Sequence, residues 1–180
     1  MAITGTRDIG NVTVTVGLYD ERDIGREEWP AGPWSSEDFD WAVWTDTTSG
    51  YQCAIKRNHS GAWCGYAVIP PEHPANNPSD EDPDWQGRDL TTGNPTWFDV
   101  HGGVTFHGQM GLAEVHLDGT AVGFDCSHAG DASPRYTWQG GVYRTAEYAV
   151  CETVSLASQI ASFQPLEQLV SGTNAYEESQ

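Results

Sequence analysis

Positive charge is scarce in this chain. Eight of its 180 residues are basic against 26 acidic, and only Lys56 is lysine. A net charge of −18 leaves no basic face for a phosphate backbone, which argues against DNA or RNA as a partner. The acidity keeps the chain soluble, and it also fits mimicry of nucleic acid, a basic partner or a salty host. No apolar run approaches the roughly 18 residues of a membrane span, so no membrane role is expected. Residues 1–20 show no basic start, apolar stretch or small-residue cleavage site, so a cytoplasmic location is expected. The four cysteines, Cys53, Cys64, Cys126 and Cys151, include no C-x-x-C pair. That spacing disfavours a zinc knuckle and leaves reduced, buried thiols as the expectation. Neither a G-x-x-x-x-G-K-[S/T] phosphate loop nor a G-x-S-x-G nucleophile elbow is present.

Tryptophan (8) and glycine (20) are plentiful. Large rings and many turns point to short strands joined by loops, and the length fits one domain. Val12–Leu18 alternates strictly and predicts a strand. Residues 20–40 predict an acidic loop or arm anchored by Trp29 and Trp34, and a strand follows at Trp41–Thr45. Tyr51–Arg57 and Trp63–Ile69 predict a hairpin turned by Asn58–Gly61. Residues 72–96 carry Pro74, Pro78, Pro83 and Pro95 among acids and predict a long Pro/Asp-rich loop. Strand-like alternation returns from Trp97 to Phe106. Asp118-Gly119 predicts a second hairpin joining Ala113–Leu117 to Ala121–Phe124. Thr145–Phe163 predicts a helix with Val150, Val154, Ala157 and Ala161 on its apolar face, flanked by Cys151 and Ile160. Leu166–Val170 could add a turn, and 171–180 is a polar tail. The expectation is one α+β domain over 1–170: an antiparallel sheet of five to seven short strands with one main C-terminal helix on a face.

Three clusters could carry chemistry. His101-Gly102-Gly103 puts two glycines in a strand-like run, which fits a bulge or the close approach of another group. Asp125-Cys126-Ser127-His128-Ala129-Gly130-Asp131 spaces two carboxylates and an imidazole at intervals of three. Such a trio, with His101, could hold a divalent metal such as zinc or manganese, or could orient a ligand. It could equally cap turns. Trp63, Tyr66, Trp97 and Phe98 could stack a base or sugar, or simply fill the core.

The motifs also resemble those of an uncharacterised family of small phage and prophage proteins. Ala62–Pro74 (Ala62-Trp63-Cys64-Gly65-Tyr66 through His73-Pro74) is similar to C-G-Y-V-x-V-P-x-x-H-P. Asp99–Phe106 is similar to D-V-H-G-G-L-T-F, and Gly123–Asp131 to G-F-D-C-A-H-x-G-D. The helix shares Tyr143-Arg144, Tyr148, Glu152, Leu156-Ala157 and Gln159. The likeness runs from Trp34 to Ala161. It implies a phage or prophage origin, an infected or lysogenic bacterial host, and one shared site, but no activity. The stretch Ala75–Asn94 is longer than in that pattern, and Thr120-Ala121-Val122 stands where a Trp pair is usual.

Three functions follow as expectations. The first is a counter-defence protein that sequesters a small nucleotide-like immune signal. Its ligand-binding residues would be His101, Gly102, Gly103, Asp125, His128, Asp131, Trp63, Tyr66 and Arg144, and Arg57, Arg135 or Arg144 would meet phosphate. The second is a metal-dependent, phosphodiesterase-like hydrolase using His101, Asp125, His128 and Asp131. The third is an acidic inhibitor of a host enzyme. Self-association into a homo-oligomer stays open.

Overall fold

A computed structural model describes residues 2–19, 24–73, 98–112 and 117–163, the side chains of 117 and 118 excepted. Seven described strands form one antiparallel sheet: β1 (Ala2–Ile9), β2 (Val12–Leu18), β3 (Trp41–Thr45), β4 (Gln52–Arg57), β5 (Trp63–Val68), β6 (Phe106–Leu112) and β7 (Leu117–Asp125). Their order is β1-β2-β3-β4-β5-β7-β6. A short parallel pair, β8 (Asp131–Ala132) and β9 (Val142–Tyr143), follows, and then helix α1 (Ala146–Ser162). This is the expected α+β class. No helix among the described residues is long and apolar enough to cross a membrane.

The strands expected at β2 to β5 are present, β2 where the alternation puts it and β4 and β5 on either side of the Asn58–Gly61 turn. β1 was not expected from the sequence. It is an edge strand, exposed along most of its length, so no apolar alternation marks it. The run Trp97–Phe106 is a correction: residues 98–105 are not strand, and β6 starts at Phe106. Gly102 (φ +66) and Gly103 (φ +84) turn the chain left-handed there. The neighbouring backbone bonds to helix side chains instead of a ladder: Glu152 Oε2 accepts from His101 N, and Gln159 Oε1 from Asp99 N. The second hairpin is also corrected. Asp118-Gly119 lies inside β7, paired with Gly111 and Met110, and is therefore not the turn; residues 113–116 lie outside the described residues. Trp97, most of the 72–96 loop, Leu166–Val170 and the tail also lie outside them.

Helix α1 covers one sheet face. Thr145 caps its start, its side-chain oxygen accepting from Tyr148 N. The buried stripe is Ala146, Ala149, Val150, Thr153, Leu156, Ala157 and Ile160, shifted from the expected face, so that Ala161 and Cys151 are exposed. Leu156 and Ile160 are fully buried, worth about 1.5–3 kcal/mol each. They join Val14, Val16, Phe39, Ile55, Trp63, Val122 and Phe124 in the main core. The helix packs closely over β5 because residue 65 is glycine: a Cβ there would lie 2.2 Å from Thr153 Oγ1. The opposite sheet face carries a second cluster of Ala54, Cys64, Tyr66, Met110, Leu112 and Ala121.

The 24–40 arm is pinned through a buried polar network. Glu37 accepts from Arg57, Trp63 Nε1, Tyr143 O–H and the helix's Ala146 N–H. The Arg57 guanidinium is fully buried and stacks 4.2 Å from the Trp63 ring centroid and 5.2 Å from that of Trp29. Trp34 is buried, as expected of an anchor.

Candidate ligand-binding groove

The end of β5 and β7 on the face away from α1 opens into a groove of about 790 Å³. Cys64, Tyr66, Phe106 and Asp125 contribute to its floor, and the loop from Ser127 to Trp138 forms a wall. Tyr66 and Phe106 meet edge to face with centroids 5.2 Å apart. Tyr136 and Trp138 stand 65% and 54% exposed on the wall. Trp138 is held in place, since its Nε1–H donates to Asp131 O at 2.8 Å. Asp125 Oδ1 accepts from Ser127 N, which leaves Oδ2 without a partner among the described residues.

Behind that wall lies a second, tighter arrangement. A carboxylate only accepts, so the His101 Nε2–H donates to Asp131 Oδ2 at 2.7 Å. In the neutral ring His101 Nδ1 then accepts from Tyr148 O–H at 3.0 Å. Asp131 also accepts from Arg144 Nε at 3.0 Å and from His128 N. Burial works to raise the Asp131 pKa, but these three donors outweigh it and hold the carboxyl below its ordinary range. The His128 ring lies 5.5 Å from that of His101 and rests on Gly102. His128 therefore faces the groove in front and the His101–Asp131 pair behind.

The expected site residues thus divide. Tyr66, Asp125, His128 and Asp131 line the groove. Gly102 supports it by seating His128, whereas a Cβ on Gly103 would meet nothing within 4 Å. His101 and Arg144 stand behind it, holding Asp131. Trp63 is a correction: its side chain points to the helix face and is wholly buried, because the odd step along β5 that brings Cys64 and Tyr66 to the groove turns Trp63 away. Phe98 likewise belongs to the main core. The arginines expected to meet phosphate are engaged elsewhere: Arg57 with Glu37, Arg135 with Ile24 O and Glu28, and Arg144 with Asp131.

The metal set His101, Asp125, His128 and Asp131 is also corrected. No three His, Cys, Asp or Glu side chains among the described residues are arranged to hold an ion. Both Asp131 oxygens are committed, and the Arg144 cation already neutralises that carboxylate, so the residues do not fit a divalent metal. The two thiols lining the groove offer no ready nucleophile. Burial, then the Asp125 charge, pushes Cys64 up to about 12, and burial with Asp131 nearby raises Cys126 too.

Tyr136, Trp138 and Phe106 escaped the sequence reading as groove residues, as did Tyr148 and Glu152 as supports. Two rings at an i, i+2 spacing after Pro134, in a segment without apolar alternation, were the available signal for the first pair. The chain matches no protein-family model, no curated protein and no solved structure.

Asp131 carries a pH signature. Its lowered folded pKa means its stabilisation is complete above about pH 4 and is lost as pH falls through the folded value. Asp131→Asn is expected to lose about 1.5–3 kcal/mol at pH 7, the worth of hydrogen bonds to a charged group. The gap to wild type should narrow below pH 4 in urea unfolding. Asp40 works the opposite way, burial raising its pKa against the pull of Arg26, but it is common to both proteins and cancels in the difference. A gap independent of pH would contradict the assigned role of the Asp131 charge.

Proposed function

We propose that the chain is a binding protein for a small, flat, nucleotide-like ligand, taken into the groove between Tyr66 and the Tyr136–Trp138 wall. The observation that carries this reading is a groove of ligand size with two uncovered rings on its wall and an unpartnered carboxylate oxygen on its floor. Rings stack a base, and Asp125 accepts from its N–H edge. The raised thiols and the committed Asp131 give no support to a hydrolytic step. With the phage-type motifs, the reading extends to sequestration of an immune signal in an infected host.

The test is a panel of nucleosides, nucleotides and cyclic nucleotide signals, followed by thermal shift, calorimetry and heat release with chromatography. A ligand is expected to bind and to be recovered intact. Trp138→Ala should weaken it about ten- to a hundredfold, the worth of one stacked ring, with little change in melting temperature. Turnover of the ligand, or equal affinity in the variant, would defeat the proposal.

A further inference from the structure

Each arginine among the described residues has a carboxylate partner. Arg7 pairs with Asp38, Arg26 with Asp40, Arg57 with Glu37, Arg135 with Glu28 and Arg144 with Asp131. Lys56 is the one described cation without such a pair or a hydrogen bond, in a chain with 26 acidic residues. Its contact is with a ring: Nζ stands 5.0 Å from the centroid of Tyr66, a groove residue.

The sheet register fixes where that charge lies. Lys56 pairs with Cys64 across β4 and β5, and Cys64 pairs with Asp125 across β5 and β7. Directly opposed residues point to one face, so the three form a row on the groove side. Strands lie about 4.8 Å apart, which places the ammonium-bearing and carboxylate-bearing positions about 10 Å from each other. The carboxylate end accepts N–H donors, and the ammonium end donates to an anion. Tyr66 lies on the next row of the same face, between Ala54 and Gly123, with its ring against the Lys56 ammonium.

We infer that Lys56 is the phosphate anchor of this site, and that the ligand is a nucleobase with an N–H edge carrying a single phosphate. This rests on the ring-binding reading above and narrows it. The base edge meets Asp125, the ring lies by Tyr66 and Trp138, and the phosphate reaches Lys56. One ammonium facing a carboxylate and set in an acidic protein does not suit a polyphosphate. The lysine itself was invisible as a site residue in the sequence because it belongs to no motif.

The experiment uses the full chain and calorimetry with AMP, GMP and CMP, their nucleosides, and ATP. Each is measured on wild type, Lys56→Met, Lys56→Gln and Lys56→Arg, with melting temperature as the control for folding. The monophosphates are expected to bind wild type about tenfold tighter than their nucleosides, a preference that shrinks with added salt. That ratio should fall to near one in the Met and Gln variants and return in the Arg variant. ATP should bind no tighter than AMP. A ratio unchanged in Lys56→Met and Lys56→Gln would overturn the anchor and leave the ring-binding reading standing. Tighter binding of ATP would overturn the single-phosphate assignment. Failure of every probe to bind would overturn the ring-binding reading, and the anchor with it.

Discussion

Arg57→Met is expected to destabilise the protein by about 3–5 kcal/mol, the cost of removing one partner of a buried ion pair. The side chain is fully buried, and one guanidinium joins four parts of the fold. It reaches Glu37 on the arm, Gly61 O in the β4–β5 turn and Tyr143 on β9, and it is flanked by the rings of Trp29 and Trp63. Methionine fills much of the volume but leaves the Glu37 charge with neutral donors only. The double variant Arg57→Met/Glu37→Gln should therefore recover part of the loss, and the double-mutant cycle should give a coupling of more than about 1 kcal/mol. Urea unfolding of the four proteins decides it. A single-variant cost below about 1 kcal/mol, the level of a surface pair, would show that this network does not hold the arm.

Gly102→Ala is expected to cost about 2–5 kcal/mol and to abolish ligand binding. Two effects add. An L-residue at φ +66 costs about 1–2 kcal/mol, and the new Cβ would lie 1.9 Å from His128 Nε2, so the imidazole must leave its seat at an overpacking cost of about 1–3 kcal/mol. Gly103→Ala separates the two. Its φ is +84, but a Cβ there meets nothing within 4 Å, so it carries only the backbone cost. Its melting temperature should fall less, and its groove should still bind. Equal losses in both variants would mean that the seat of His128 does not matter.

Much of the fold was legible in local chemistry. β2 alternates one face in, one face out, and the β4–β5 hairpin announces its turn at Asn58–Gly61. The failures share a cause: tertiary partners outvoted local pattern. Residues 98–105 look like a strand but are bonded to Glu152 and Gln159 of the helix, and Asp118-Gly119 looks like a turn but is carried through β7 by pairing with β6. For the site, the motif spacing marked Asp125, His128 and Asp131 correctly as neighbours. It could not show that Arg144 would consume Asp131, or that Trp63 would face the helix while Tyr66 faces the groove. Those follow from which side of the sheet the helix takes. Lys56 belongs to no motif, and its role follows from the carboxylates that the described arginines take up.

The sheet is a meander of neighbours until β5, and then β7 enters between β5 and β6 only after residues 69–116 have gone by. Loop closure grows slowly with length, by about 0.6 kcal/mol per doubling, so the number of residues between His73 and Phe98 weighs little on the fold. Phase is another matter. A slip of one residue between β5 and β7 would turn Asp125 from the groove to the helix side and bring Phe124 out in its place. Length drift between His73 and Phe98 is therefore cheap for this fold, whereas a single insertion or deletion inside β7 inverts the groove side.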